Sequence, residues 1–130
     1  MLKIERIWQT KQKSPKTKGI TKRYGTSSPN KIPPSKIWFD PGIGFGKNLK
    51  QNIEIMKKIN QFKFKGYGLL LGSSRKSWIN GIDNSDVSNR LGGSLASALY
   101  SYKKGVKMFR VHDVKETYQA LKVYKNLCLM

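Results

Sequence analysis

The stretch KIWFDPGIGFGKN, residues 36–48, joins a short apolar run to a loop that is rich in glycine. The apolar run predicts a buried strand that ends at Asp40. The loop lacks the spacing of a phosphate-binding P-loop, because only three residues separate Gly42 from Gly46 and Asn48 stands where that loop needs a hydroxyl. An acid at the strand end would also repel a phosphate. The sequence therefore predicts a loop that binds something else.

From residue 37 onward the sequence alternates between strand-like and helix-like segments. Three apolar runs predict short buried strands, at 37–40, 67–71 and 106–111. Amphipathic stretches predict helices at 49–62, 87–103 and 113–126, and a short helical piece around Trp78 and Ile79 precedes a polar loop at 80–85. The short connections predict parallel strands with right-handed helical crossovers, and therefore an α/β fold.

Individual residues predict how these helices start and pack. Asn48 is a good N-cap for the first helix, and Asp113 with Glu116 has the spacing of a capping box at the start of the last one. Gly92-Gly93 lowers helix propensity, so we expect close packing against a neighbour there. The positions expected to face inward are Leu49, Ile53, Met56 and Ile59 in the first helix, and Leu91, Leu95, Ala98, Leu99 and Tyr102 in the second long one.

Polar residues follow each predicted strand at its carboxyl end, which is where ligands bind in parallel sheets. Asp40 follows the first strand, residues 73–76 follow the second, and Arg110 and His112 lie at the end of the third. We expect these side chains to converge on one face. One acid among several cations suits a ligand that has a donor-rich ring and an anionic tail.

Each candidate residue has an alternative role. The Asp40 carboxylate can accept two parallel hydrogen bonds from an amidine-like edge, as in a 2-amino-4-oxo pyrimidine ring, or it can serve the turn before Pro41. Lys76 can donate to atoms of the same ring, or it can be a solvated lysine at a helix N-terminus, where a cation is unfavourable. Ser74 would contact a second substrate. Arg75 is equally open to ligand contact and to a structural ion pair.

The end of the third strand predicts an anion site. Arg110 and His112 alternate along the strand, so their side chains point to the same face. The alternative for His112 is a helix cap or a core residue. Phe45 lies between two glycines, either as an aromatic wall against a second ring or as a small hydrophobic plug.

Composition limits the class of protein. The chain has 130 residues, which is short for an α/β barrel of about 250 residues. The net charge of +19 fits either a nucleic-acid or acidic-membrane partner or a general lysine bias, and the scatter of the lysines favours the latter. The single cysteine, Cys128, excludes an internal disulfide, and no apolar run is long enough to span a membrane. A cytoplasmic location is therefore expected.

Residues 1–36 differ from the rest of the chain. They hold ten basic residues and one acid, four of the five prolines and no alanine. We expect a basic leader that is mostly loop or disordered, followed by one folded domain over residues 37–130.

Three segments, DPGIGFGKN, LLLGSSRKSWI and FRVHDVKET, resemble three motifs of the dihydropteroate synthase family in the same order. The resemblance covers residues 37 to about 126. It implies a TIM-barrel enzyme of the pterin-binding class that joins 6-hydroxymethyl-dihydropterin pyrophosphate to p-aminobenzoate. Pyrophosphate leaves, and dihydropteroate, a folate precursor, forms.

The resemblance also implies a role for each matching residue. Lys76, Arg110 and His112 are the expected catalytic residues. Magnesium would assist the leaving pyrophosphate, with its ligand outside these motifs, so none of these residues is expected to bind the metal. The implied substrate contacts are Asp40 and Lys76 for the pterin, Arg110 and His112 for the pyrophosphate, and Ser74 and Phe45 for p-aminobenzoate. Gly72 is also expected to be a substrate-binding residue.

The matching motifs cover only the last three βα units of a barrel that has eight strands. We therefore expect a partial TIM (β/α)8 barrel whose sheet has two open edges. Activity would then need the missing half in trans or a homo-oligomer. The alternatives are an inactive remnant and a basic nucleic-acid-associated protein on the same scaffold.

Overall fold

The computed structural model describes residues 32–128 of the chain, so nearly all of the predicted leader, residues 1–36, lies outside the described residues. The described part alternates between strands and helices, as the sequence predicts. The strands are β1 (Trp38–Phe39), β2 (Gly68–Leu71) and β3 (Met108–Phe109), and the helices are α1 (Leu49–Lys57), α2 (Ser77–Asp83), α3 (Leu91–Lys103) and α4 (Val114–Cys128).

The three strands form one parallel sheet in the order β1-β2-β3, which confirms the α/β prediction. Trp38 pairs with Gly68, and Leu71 pairs with Phe109. Residue 68 has to be small, because a Cβ there would lie 2.2 Å from the Trp38 ring. The third strand is shorter than the predicted run 106–111. Its carboxyl end still pairs with β2, because the Arg110 N–H donates to the Leu71 carbonyl at 2.9 Å.

Helix α1 begins with the capping box that Asn48 predicts. The Asn48 side chain accepts from the backbone of Gln51 at 2.9 Å, and the Gln51 side chain accepts from the backbone of Asn48 at 2.9 Å. The α-helix ends at Lys57 and continues after a break as a short 3-10 turn, Ile59–Phe62, so the prediction of one helix to residue 62 was too long.

The inward face of α1 differs from the predicted one. Met56 and Ile59 are buried, but Leu49 and Ile53 are only half-buried, and Ile55 and Asn52 take their place in the interior. The apolar residues therefore do not fill the buried face of this helix by themselves. A polar side chain, Asn52, occupies part of it.

The predicted inward face of α3 is confirmed only at Ala98. The buried residues are Ser94, Ser97, Ala98 and Ser101, whereas Leu91, Leu95, Leu99 and Tyr102 are half-buried. The three leucines line a groove between α3 and α4 instead. Small residues on the buried face allow the helix to approach the residues that follow β2, as shown by the 2.8 Å hydrogen bond between the Ser73 and Ser97 hydroxyls.

The segment after α2 was predicted as a polar loop over 80–85, but α2 itself runs to Asp83. It ends at Asn84, whose φ of 58° is the left-handed conformation that asparagine tolerates at a helix end. The predicted helix 87–103 is broken into a 3-10 turn, Val87–Asn89, and α3. Gly93 confirms the expected close packing, because a Cβ there would lie 2.6 Å from Ile79, whereas Gly92 has nothing within 4 Å.

One apolar cluster lies between the sheet and α1. It is formed by Ile43, Ile55, Met56, Ile59, Phe62, Leu69, Leu71 and Val106, with Trp78 and Phe109 packed against it. Helix α4 begins at Val114, directly after Asp113 as predicted, and packs on α3. Among residues 32–128, no helix is long and apolar enough to cross a membrane.

Candidate functional site

The carboxyl ends of all three strands meet around Gly72. A Cβ at residue 72 would lie 3.4 Å from Nε of Arg110 and 3.7 Å from Oδ2 of Asp40. The acid after β1 and the guanidinium after β3 therefore lie on either side of a residue that has no side chain. The predicted convergence is therefore present for Asp40 and Arg110, which meet at Gly72.

The two oxygens of the Asp40 carboxylate have different surroundings. Oδ1 accepts a hydrogen bond from the Gly42 N–H at 2.8 Å, which is the turn role considered above. Oδ2 lies on the side of Gly72 and Arg110. The turn contact thus fixes the direction of the carboxylate while one oxygen remains directed toward the strand ends.

Lys76 approaches the same place from the segment before α2. Burial lowers the pKa of its ammonium group to about 8, Asp40 opposes that shift, and the nearby charges of Arg110 and Lys47 add to it. The ammonium donates to the carbonyl of Ile43 and lies 4.1 Å from the centre of the Phe45 ring. Lys76 is therefore partly desolvated and bound to the loop that follows β1, unlike a solvated lysine.

That loop, residues 42–47, turns on three glycines with positive φ, of which Gly44 has the tightest surroundings. A Cβ at Gly44 would lie 2.7 Å from Cδ of Lys76. The Lys47 ammonium donates to the carbonyls of Gly42 and Phe45 at 2.7 and 2.8 Å, and burial lowers its pKa while Asp40 raises it. Phe45 itself is 52% exposed, so the plug interpretation is wrong and its ring is free to face a ligand.

Ser74 and His112 form a second pair at the strand ends. The Ser74 hydroxyl lies 3.1 Å from Nδ1 of His112 and accepts from the His112 backbone N–H at 3.3 Å. Ser74 is buried, whereas His112 is exposed, so the core interpretation of His112 is excluded. Arg110 is exposed as well, which leaves both basic side chains at the mouth of the site.

Arg75 takes the structural alternative. Its guanidinium donates to both carboxylate oxygens of Asp113, with the Nε contact at 2.9 Å, and this pairing lowers the pKa of Asp113. Its backbone has a φ of 54°, and the Ser94 hydroxyl and the Arg90 guanidinium bind its N–H and carbonyl. Arg75 therefore ties the segment before Lys76 to α3 and α4.

Sequence reasoning missed Lys47 and Asn52, which both hold the loop after β1. Asn52 accepts from the Gly44 N–H at 2.8 Å. The sequence does contain a clue to Asn52, because it lies four residues after the N-cap Asn48. This places it on the face of α1 that also carries the buried residues Ile55 and Met56. A polar residue on a buried helix face has to find a partner.

Magnesium is expected to find its ligand outside these motifs, so the strand-end residues are not its predicted ligands. Within residues 32–128, no three histidine, cysteine, aspartate or glutamate side chains are close enough to hold a metal ion. Asp40 is the acid at the strand ends, and its charged neighbours there are cations. The residues present do not fit a magnesium ion, and its ligand set stays a prediction.

Comparison with known proteins relates this arrangement to one family. Residues 20–112 match the family model of pterin-binding enzymes. The dihydropteroate synthase of Escherichia coli K12 is 45% identical over 92 residues, which are 71% of this chain and 33% of the relative. That of Neisseria meningitidis serogroup C is 44% identical over 98 residues, covering 74% and 35%. The chain thus spans about a third of the length of the curated relatives it matches.

Solved structures give the same result for the fold. The Coxiella burnetii dihydropteroate synthase, solved with pteroic acid, has a TM-score of 0.70 at 36% identity and covers 75% of this chain and 36% of its own. The Yersinia pestis enzyme, solved with a sulfonamide drug, has a TM-score of 0.70 at 35% identity, with coverage of 74% and 35%. The three parallel βα units therefore correspond to part of a TIM barrel, as expected.

Proposed function

The chain belongs to the pterin-binding enzyme family, and from this we propose that its strand-end residues form part of a dihydropteroate synthase site. That site would join 6-hydroxymethyl-dihydropterin pyrophosphate to p-aminobenzoate in folate biosynthesis. Two relatives carry the name of this enzyme, and one solved neighbour was determined with pteroic acid, which contains both halves of such a product.

The observation that carries the proposal is the position of Asp40 and Arg110 on either side of Gly72. Because residue 72 has no side chain, the Arg110 guanidinium and the Asp40 carboxylate can both lie close to this strand end. In the proposed complex, the Asp40 carboxylate accepts hydrogen bonds from the amino group and ring N–H of the pterin. Lys76, which lies close enough to Asp40 for that charge to oppose the lowering of its pKa, donates to acceptor atoms of the same ring.

The basic residues at the mouth suit the leaving group. In the proposed reaction, the C–O bond of the pterin methylene breaks and pyrophosphate departs with the electron pair. The amine nitrogen of p-aminobenzoate forms the new C–N bond and loses its proton to solvent. Arg110 and His112 bind the departing anion, and fixed positive charge at that point stabilises the transition state.

Phe45 and Ser74 are proposed to receive p-aminobenzoate. The exposed Phe45 ring offers a flat apolar surface on which the benzoate ring can pack. The Ser74 hydroxyl lies 3.1 Å from Nδ1 of His112, at the end of the neighbouring strand. We further propose that turnover needs groups from a second polypeptide or a second copy of the chain.

A cytoplasmic location is proposed because the exposed single cysteine fits a reducing compartment.

The test is calorimetric titration of the purified chain with pteroic acid. We expect binding that Asp40→Asn weakens by at least about tenfold, as for the loss of a charge-assisted hydrogen bond. Asp83→Asn is the matched control, because Asp83 is an exposed acid that accepts hydrogen bonds from Ser85. Dihydropteroate formation is then assayed with and without the co-expressed front part of a dihydropteroate synthase. A folded chain that does not bind pteroic acid would refute the proposal.

A further inference from the structure

We infer that Asn52 is a positioning residue for the aromatic second substrate, a role that acts through the loop of residues 42–47. This inference rests on the proposed function. Asn52 lies on α1 and contacts neither Asp40 nor Arg110 in the structure. Asn52 acts through its hydrogen bonds to the backbone of the loop.

Every polar atom of the Asn52 side chain is used by the loop or by the residues that join it to α1. Asn52 is only 3% exposed. Its Oδ1 accepts from the Gly44 N–H at 2.8 Å, and its Nδ2 donates to the carbonyls of Lys47 and Asn48 at 3.3 and 3.0 Å. One buried amide thus fixes both the middle and the end of the loop.

The loop needs this support because its three glycines allow the backbone to adopt many conformations. Gly42, Gly44 and Gly46 all have positive φ, which glycine adopts at little cost and also leaves easily. The Lys47 ammonium provides a second link, since it bridges the Gly42 and Phe45 carbonyls. Asn52 and Lys47 together select one conformation among those that the glycines allow.

The selected conformation determines where Phe45 and Lys76 meet. Gly44 lies against the stem of Lys76, with no room for a Cβ, and the Phe45 ring lies 4.1 Å from the Lys76 ammonium. Loss of the Asn52 contact releases Gly44 and thereby the ring. The surface proposed for p-aminobenzoate would then be lost.

The Asp40 and Arg110 contacts of the pterin half have a separate support. Asp40 is oriented by the Gly42 N–H, at the start of the loop, and meets Arg110 at Gly72 on the neighbouring strand. Release of Gly44 leaves these contacts in place. The effect of Asn52 should therefore be selective for a ligand that carries the benzoate ring.

The experiment compares two probes, 6-hydroxymethylpterin and pteroic acid, by calorimetric titration of the full chain. For Asn52→Ala we expect about tenfold weaker binding of pteroic acid and a change of less than about twofold for the pterin alone. Asn60→Ala is the matched control, because Asn60 is an exposed asparagine just beyond the same helix. Lys47→Met, on a partly exposed residue, serves as a second variant and should also weaken binding of pteroic acid. Because Lys47 contacts Gly42 and lies near Asp40, the comparison of the two probes is made with Asn52→Ala.

A second readout needs no ligand. Amide hydrogen exchange, followed by NMR, should show the Gly44 N–H exchanging at least about tenfold faster in Asn52→Ala than in the wild-type chain. Equal weakening of both probes in folded Asn52→Ala, or an unchanged Gly44 exchange rate, would overturn the role of Asn52. A wild-type chain that binds neither probe would instead overturn the proposed function, while the exchange rate would still decide whether Asn52 holds the loop.

Discussion

The Lys76 ammonium is held by the loop after β1 at two points, the carbonyl of Ile43 and the face of the Phe45 ring 4.1 Å away. The surrounding burial lowers its pKa to about 8, so this lysine titrates near neutral pH. The group is still mostly charged at pH 7, and binding of an anionic ligand would raise its pKa again. The pair thus links the protonation of a lysine to the position of an aromatic ring.

The first prediction concerns the pH dependence of stability. Between the lowered pKa of about 8 and the ordinary 10.5, the unfolded chain binds more protons at Lys76 than the folded chain does. The free energy of unfolding should therefore rise with pH in this window for the wild-type chain relative to Lys76→Met. Urea unfolding at about pH 7.5 and about pH 10 measures the difference, and Lys122→Met is the exposed control. Parallel curves for wild type and Lys76→Met would contradict the lowered pKa.

The second prediction separates binding from folding at Arg110. Because this side chain is exposed, Arg110→Gln should change the free energy of unfolding by less than about 0.5 kcal/mol. Titration with inorganic pyrophosphate should show affinity lowered by about tenfold or more, since a charge-assisted contact is lost. Lys107→Gln removes a charge just before the same strand and should leave that affinity within about twofold. A large loss of thermal stability in Arg110→Gln would place the residue in the interior and refute the prediction.

The third prediction uses two adjacent glycines of α3. Gly92→Ala should stabilise the chain by about 0.5 kcal/mol, because nothing lies within 4 Å of the added methyl group and alanine favours the helix. Gly93→Ala should destabilise it by about 1 kcal/mol or more, because the methyl group would lie 2.6 Å from Ile79. Thermal unfolding of both variants measures the two signs, and equal shifts would disprove the close packing at Gly93.

The fourth prediction tests the ion pair that joins the site segment to α4. Arg75 lowers the pKa of Asp113, so the pair stabilises the folded chain at neutral pH and this stabilisation is lost as pH falls through the lowered pKa. Asp113→Asn should therefore be less stable than wild type at pH 7, with the difference shrinking below about pH 4. Glu116→Gln, which removes a nearby exposed charge, is the control for denaturation curves at both pH values. A difference that persists unchanged in acid would exclude the pair as its source.

The strand ends could be predicted from the sequence because they follow from the alternation of elements alone. Parallel strands place their carboxyl ends at one edge, so Asp40, Lys76 and Arg110 had to be neighbours once three strands were recognised. The capping residue Asn48 was equally clear, because its side chain acts on its own helix. These features depend on local or topological rules.

The helix faces could not be predicted in the same way, because they depend on which neighbour each helix meets. The leucines of α3 were expected to face the interior, but they line the groove between α3 and α4. The buried face of α3 carries Ser94, Ser97 and Ser101 instead. Asn52 was missed for a related reason, since its partner Gly44 belongs to a loop whose path no periodicity describes. In both cases the neighbouring elements, and not the hydrophobicity of the residues, determined which side chains are buried.

The strand order β1-β2-β3 is the same as the order of the strands along the sequence, so the sheet can form from the N-terminal strand to the C-terminal one. Each strand pairs with the next one in sequence, so β1 and β2 can pair once residue 71 has been synthesised, and β3 adds later to an existing edge. Asp40 and the loop of residues 42–47 can therefore adopt their positions beside β2 before Arg110 leaves the ribosome. Assembly of the ligand site would follow the direction of translation, with its anion-binding side completed last.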